Sequence, residues 1–183
     1  MRSGFKILTF FGLFMLLIAY PSCRSRKIAP ETDLSISQKD IDLFIKHKHK
    51  IEEITSIFNK RLTKSKSAER KQIFEEGKKE INNYLESQGL NPEIFMHKSK
   101  KILKCYLALK ETGEENLKRK KLELEKREIP KEQAKQELEF YKRSAENFFR
   151  SYTEGLTEYE IRLIERNLKK ISGVVEKLFS NEN

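Results

Sequence analysis

Apolar side chains recur at steps of three and four residues along most of this chain, and that spacing restricts what it can fold into. A helix turns once in about 3.6 residues, so such positions form one stripe along one side. Runs of alternating apolar and polar β-branched residues, which are typical of strands, do not occur in the sequence. The pattern predicts an all-α fold, a bundle of five or six helices. Between residues 37 and 62 the stripe consists of Ile41, Phe44, Ile45, Ile51, Ile54, Phe58 and Leu62.

Capping residues, glycines and a proline divide the pattern into separate helices. Ser37, with Asp40 three residues later, predicts the start of the first. Asn91-Pro92-Glu93 predicts another start, because Asn caps a helix and Pro suits its first position. Thr157 is expected to cap a last helix with a wide apolar face that includes Tyr159 and Phe179. The expected helices cover 37–62, 67–88, 92–111, 114–128, 131–153 and a final stretch from 158.

The stretch from 114 to 153 forms either one helix kinked at Pro130 or two helices. Its first part, residues 114–128, contains few apolar side chains and is expected to be exposed or lightly packed. Its second part places an aromatic set at steps of four, three and four residues. This face either packs in the core or forms a groove for a peptide or an acyl chain. The set is Tyr141, Ala145, Phe148 and Tyr152.

The N-terminus contains a short apolar segment preceded by basic residues. Arg2 and Lys6 precede fourteen uncharged residues, 7–20. As a helix these residues would span roughly 21 Å, whereas a bilayer core is about 30 Å thick. The run is therefore short for a permanent membrane span and has the length expected of the apolar region of a signal peptide.

Pro21, Ser22 and Cys23 follow this run, and together with it they resemble the lipobox of bacterial lipoproteins, particularly the looser form found in spirochaetes. The resemblance covers the first 23 residues. It implies that the thiol of Cys23 carries fatty acyl chains, that the chain is cut between Ser22 and Cys23, and that Cys23 becomes the new N-terminus. Two other interpretations remain open at this point: an ordinary secretory signal, and an N-terminal anchor that is not cleaved.

The lipoprotein interpretation divides the chain into three parts. Residues 1–22 are the signal peptide, 23–36 a lipidated tether and 37–183 the helical domain. The tether is polar, with Pro30 and no apolar period, as expected of a linker. Localisation is then the cell envelope, at the outer membrane or the periplasmic face, with the lipid on Cys23 as the contact with the membrane.

Charge indicates which partners to expect. Loss of the leader removes two basic residues and no acidic one, which lowers the formal charge from +10 to +8. The densest basic run, Lys118-Arg119-Lys120-Lys121, is the candidate binding patch. A protein exported from the cytosol is not expected to meet nucleic acid. The expected partner is a protein or another anionic component of the envelope.

The sequence contains no motif for nucleotide binding, for zinc-dependent or serine-dependent hydrolysis, or for calcium binding. No catalytic residue, metal or cofactor is predicted. His47 and His49 point away from each other on a helix and are interpreted as solvated, while His97 stands alone. Cys105 lies among apolar residues and is interpreted as a small buried hydrophobe. A pair of carboxylates in a cleft would be the one route to an enzyme.

These observations favour a non-catalytic envelope lipoprotein that binds another macromolecule or has a structural role. The alternative is a periplasmic helical chaperone or stress-response protein. Leu156, Thr157 and Glu160 distantly resemble the Leu-Thr-x-x-Gln motif of small periplasmic chaperones, with Glu in place of Gln and no second copy. The resemblance implies client binding by this segment.

Overall fold

The structure, a computed structural model, describes residues 33–127 and 129–175. Within these ranges the fold is all-α and contains no strand, which confirms the predicted fold class. No helix in this part of the chain combines the length and the apolar character needed to cross a bilayer. The predicted leader, Ser22, Cys23 and the last eight residues lie outside the described ranges. The helices are α1 (Gln38–Lys64), α2 (Ser67–Ser87), α3 (Pro92–Thr112), α4 (Glu114–Glu125), α5 (Lys131–Thr153), α6 (Glu158–Arg166) and α7 (Leu168–Val175).

The predicted caps are present. Ser37 and Asp40 bind each other at the start of α1, where the backbone N–H of Ser37 donates to Asp40 Oδ2 at 2.8 Å. Asn91 Oδ1 accepts from the backbone N–H of Ile94 at 3.1 Å, which caps α3. These bonds satisfy N–H groups that have no partner inside a helix. The stretch whose form was left open, residues 114–153, contains two helices, α4 and α5.

Contacts divide the chain into two compact units. Of the described residues, Asp33, Leu34 and Asp42–Lys98 belong to the first unit, and Ser35–Ile41 belongs to the second together with the chain from Ser99 onward. The core of the first unit is built from α1, α2 and the start of α3. Its buried residues are Ile51, Ile54, Ile81, Leu85 and Phe95, with Leu43, Phe58, Tyr84, Leu90 and Met96 packed against them.

Gly77 lies in the middle of α2 and is buried where that helix approaches α1. A Cβ added there would lie 2.9 Å from Cγ of Phe58 and 3.2 Å from its Cβ. Because these atoms are at the base of the ring, Phe58 has to move as a whole to make room. By helix propensity alone a glycine in this position weakens the helix, whereas the structure shows that it permits close packing.

Gly77→Ala should lower the free energy of unfolding by about 1–3 kcal/mol, the usual cost of overpacking. Helix propensity alone predicts the opposite sign, a gain of about 1 kcal/mol. Gly173→Ala is the matched control, since a Cβ there meets nothing within 4 Å. Urea unfolding followed by circular dichroism measures both variants. A stabilised Gly77→Ala protein would contradict the packing argument.

The second unit has its own core, built around α3, α6 and α7. The fully buried side chains include Ile102, Leu103, Tyr106, Ile164 and Ile171. The last predicted helix is interrupted at Asn167, which separates α6 from α7. Asn167 Nδ2 donates to the carbonyl oxygen of Leu163 at 2.9 Å, and such local side-chain bonds compete with the regular helix ladder.

Two expectations for this unit were wrong in detail. Tyr159, which was assigned to the apolar face of the last helix, is exposed, because the buried side of α6 runs through Glu160, Leu163 and Ile164. Ile36, assigned to the polar tether, is buried in the second unit with 2 % of its surface exposed. The packed region therefore begins earlier than residue 37.

Candidate binding surface

Helix α4 ends at Glu125, and Pro130 directly precedes the first residue of α5. The guanidinium of Arg127 donates to Glu137 Oε2 at 2.8 Å and links the end of α4 to α5. Leu124 is the fully buried residue of α4. The remainder of α4 is mostly exposed or half-buried, as the sequence indicated.

The apolar side of α5 is only partly covered. Of the residues of α5, all of which are described, only Thr153 is fully buried. Leu138, Tyr141, Ala145, Phe148, Phe149 and Tyr152 are half-buried, and Phe140 is 75 % exposed. This face of α5 is therefore neither fully packed in a core nor fully open as a groove.

A shallow groove of about 470 Å³ lies between the two helices and contains Phe140. We call it the α4–α5 groove. Among the described residues, its lining combines two aromatic rings with one lysine, one carboxylate, one amide and one hydroxyl. The lining residues are Lys120, Gln136, Glu137, Phe140, Tyr141 and Ser144.

The three lysines of the predicted basic patch each lie close to a glutamate of α4. Lys118 Nζ lies 3.6 Å from Glu114 and Lys121 Nζ 4.0 Å from Glu125, both one helical turn away. Lys120 pairs with Glu123 at 3.1 Å and lines the α4–α5 groove. Arg119 is exposed. Exposed pairs of this kind contribute little to stability, but they offset much of the positive field that the sequence suggested.

Farther along α5 the aromatic set is held in place. The rings of Phe148 and Tyr152 stack with centroids 4.1 Å apart. Lys104 Nζ of α3 lies 5.8 Å from the centre of the Tyr152 ring, a cation–π arrangement that fixes this end of α5. The most exposed aromatic side chain of α5 is Phe140, about three turns toward the N-terminus from Tyr152.

The three residues that resemble the chaperone motif lie at the start of α6. Thr157 Oγ1 accepts from the backbone N–H of Glu160, and Glu160 Oε2 accepts from the backbone N–H of Thr157 at 2.7 Å. This reciprocal arrangement is a capping box. Leu156 is half-buried. Thr157 and Glu160 thus stabilise the start of α6, a structural role that does not depend on binding another protein.

The interpretation of His47 as solvated was wrong. His47 is buried in the first unit, its Nδ1 lies 2.8 Å from Tyr84 Oη, and its ring meets Phe95 edge-on. Burial, followed by the charge of Lys46, lowers the pKa of His47. His49 is exposed. Position explains the difference, because residue 47 continues the stripe between Phe44 and Ile51.

Lys48 is also buried, with 3 % of its side chain exposed, and it forms an ion pair with Glu52 one turn later. Burial lowers the pKa of Lys48 to about 7. Glu52 Oε2 is a buried atom without a hydrogen-bond partner. A charge pair in an apolar setting loses hydration that its mutual attraction does not always replace. The sequence showed only an ordinary solvated Lys–His run.

Cys105 is buried, as predicted, and forms no disulfide with another described residue. Burial and the charges of Glu165 and Glu160 raise the pKa of its thiol to about 12, so it stays protonated and unreactive at neutral pH. In the described ranges, no three His, Cys, Asp or Glu side chains are grouped so that they could hold a metal ion.

Comparisons with protein-family models, with curated proteins and with solved structures found no match for this chain. The functional assignment therefore depends on the chain's own residues. Sequence reasoning missed Phe140 because it falls outside the apolar stripe of α5. That same position was the available signal, since a phenylalanine off the stripe of a helix rich in Lys and Glu faces solvent unless a partner covers it.

Proposed function

We propose that this protein is a non-catalytic lipoprotein of the cell envelope, anchored through Cys23, that binds another macromolecule through the α4–α5 groove. The observation that carries the binding role is the exposure of Phe140 inside that groove. An aromatic side chain in an accessible concave patch is a common anchor of protein interfaces.

The anchoring half of the proposal is supported by the first 23 residues. Arg2 and Lys6, the apolar run and Ser22-Cys23 form the order of a lipoprotein signal. Two or more acyl chains on one cysteine bind a bilayer far more firmly than one, since each buried CH₂ contributes about 0.8 kcal/mol. The lipid would leave the helical part outside the bilayer.

The pairing of Lys118, Lys120 and Lys121 with glutamates changes the partner that we expect. An anionic partner would have to compete with Glu114, Glu123 and Glu125 for these lysines. Among the described residues, the groove instead offers aromatic surface flanked by one amide, Gln136, and by one charge of each sign, Lys120 and Glu137. We therefore propose a protein partner that inserts an apolar side chain beside Phe140, next to Lys120 in the groove lining.

Photo-crosslinking in the native cell tests this proposal. The photoreactive residue p-benzoylphenylalanine replaces Phe140 in one strain and Tyr159 in another. Tyr159 is a matched control, because it is an exposed aromatic residue of the same unit. We expect a discrete crosslinked protein at position 140, at a yield at least about tenfold above position 159, as for a contact in the centre of an interface.

A second variant separates binding from folding. Phe140→Ser should keep the helical circular dichroism signal, because Phe140 is exposed, and should abolish co-purification of the protein that crosslinks at position 140. No adduct at position 140, or equal adducts at both positions, would contradict a binding role for the groove.

A further inference from the structure

The seven residues Ser35–Ile41 belong to the second unit, although most of α1 belongs to the first. The backbone N–H of Ile36 donates to Glu160 Oε1 at 2.7 Å across 124 positions of sequence. Ile36 and Ile41 are buried, with 2 % and 0 % of their surfaces exposed. This segment is thus fixed by one charge-assisted hydrogen bond and two apolar side chains.

A second link joins the same segment to the junction of α6 and α7. Gln38 Nε2 donates to Asn167 Oδ1 at 3.2 Å, and Asn167 Nδ2 donates to Gln38 Oε1 at 2.9 Å. Such a reciprocal pair of amides fixes both orientation and register. We call Ser35–Ile41 the clip, and its seat is formed by Glu160 and Asn167.

Glu160 has two tasks at once. One carboxylate oxygen accepts from Ile36 of the clip, and the other accepts from the backbone N–H and the hydroxyl of Thr157 in the capping box. Only 3 % of Glu160 is exposed, so water replaces none of these bonds easily. A neutral carboxyl group keeps a proton on one oxygen, and that oxygen no longer accepts as strongly from its N–H donor.

The groups around Glu160 decide how readily it takes up a proton. Burial raises the pKa of its carboxyl. The opposing effects are larger: hydrogen bonds from the Thr157 and Ile36 backbones and from the Thr157 hydroxyl, together with the charge of Lys101 on α3, lower the pKa. The net pKa of Glu160 therefore lies below the ordinary 4.5. The charge of Glu160 also raises the pKa of Cys105 on α3, and that thiol is protonated at neutral pH. Since the folded state binds this proton less tightly than the unfolded chain, the carboxylate stabilises the fold near neutral pH and loses that effect as the pH falls through its folded pKa.

We propose that the clip is an acid-sensitive strap, closed over the second unit by ionised Glu160 and released when Glu160 is protonated while the helical core persists. The segment spans the boundary between the two predicted parts: Ser35 and Ile36 fall in the predicted tether, and Gln38–Ile41 form the first turn of α1. In a chain anchored through Cys23, a consequence that rests on the proposed function, release of Ser35–Ser37, the part of the clip that precedes α1, would add roughly 10 Å of extended reach from the membrane. The strap itself does not depend on the lipid.

Amide hydrogen exchange tests the strap in the full ¹⁵N-labelled chain, held in a mild detergent. The protection factor of the Ile36 N–H reports the clip, and that of Ile102 reports the core of the second unit. In the wild type, lowering the pH from neutral to about pH 3, below the ordinary carboxyl range, should reduce Ile36 protection at least tenfold relative to Ile102. Glu160→Gln should reduce it about tenfold or more already at neutral pH, as loss of a charge-assisted bond implies.

Two further variants keep the test decisive. Thr157→Ala weakens the cap but leaves the bond to Ile36, so Ile36 should keep most of its protection relative to Ile102. Gln38→Ala changes an exposed residue of the clip and should lower Ile36 protection several-fold with Ile102 unchanged. Unchanged Ile36 protection in both Glu160→Gln and Gln38→Ala, or parallel loss at Ile36 and Ile102 in acid, would overturn the proposal.

Discussion

Cys23→Ala should abolish incorporation of a labelled fatty acid into this protein and should cause a longer precursor to accumulate. The physical reason is that the thiol of Cys23 is the proposed attachment point, and alanine offers no nucleophile for acyl transfer. In the lipoproteins that the N-terminus resembles, acylation precedes the cut, so the variant is expected to keep its leader. Metabolic labelling followed by immunoprecipitation measures label and size together.

Cys105→Ala is the matched control, because it removes the other cysteine of the chain. Cys105 is buried in the second unit, and its thiol is protonated at neutral pH. This variant should keep the full fatty acid signal and the mature size. Label that survives Cys23→Ala, or that disappears in Cys105→Ala, would contradict the assignment of Cys23.

The free energy of unfolding of the wild type should rise as the pH is raised from about 7 to about 9, and Lys48→Met should remove that rise. Burial lowers the pKa of Lys48 from 10.5 to about 7. In this window the unfolded chain binds a proton that the folded chain has released, so stability increases with pH, by at most about 1.4 kcal/mol per pH unit.

Neighbouring titrations define the limits of this window. The lowered pKa of His47 changes the free energy of unfolding only below about pH 6.5, the ordinary pKa of a histidine. Cys105 acts in the opposite direction above pH 9, because its pKa is raised from 9.0 to about 12 and the unfolded chain then loses a proton that the folded chain keeps. The rise should therefore level off near pH 9 in the wild type and continue in Cys105→Ala.

Lys50→Met is the control for Lys48→Met, since Lys50 lies on the same helix but about half of its side chain is exposed. It should leave the rise intact. Lys48→Met alone leaves Glu52 without its ion-pair partner. The double variant Lys48→Met, Glu52→Gln should therefore be more stable than Lys48→Met at neutral pH. Urea unfolding across the pH range measures all of these proteins. A rise that persists in Lys48→Met would show that another group causes it.

Local physics explains which parts of this fold could be predicted. The caps at Ser37, Asn91 and Thr157 involve partners three residues away, so the sequence displays both halves of each interaction. The apolar stripes that define the helices are local for the same reason. Cys105, within a dense apolar stretch of α3, was predicted correctly by residue type and position together.

The errors arose where residue type and position disagree. His47 was judged by its chemistry, but it continues the stripe between Phe44 and Ile51 and is buried there, as is Lys48. Tyr159 was judged by its apolar character, but it lies one residue away from the buried face of α6. Spacing outweighs polarity in both helices, because rotating the helix to hide one residue would expose several others.

The clip could not have been predicted, because its two links cross 124 and 129 positions of sequence. Nothing near Glu160 indicates that its carboxylate accepts from Ile36. Only part of the candidate surface could be predicted from the sequence. The basic run on α4 was evident, whereas its neutralisation by Glu114 and Glu125 followed from helical spacing, and the proximity of Lys120 to Phe140 required the turn between α4 and α5.

Intact mass spectrometry of the protein extracted from native membranes tests the central claim most directly. The account predicts a mature chain that begins at Cys23 and carries the added mass of two or three fatty acyl chains on that residue. A chain that still begins at Met1, or one whose Cys23 is a bare thiol, would contradict the proposed anchor and the envelope location that follows from it.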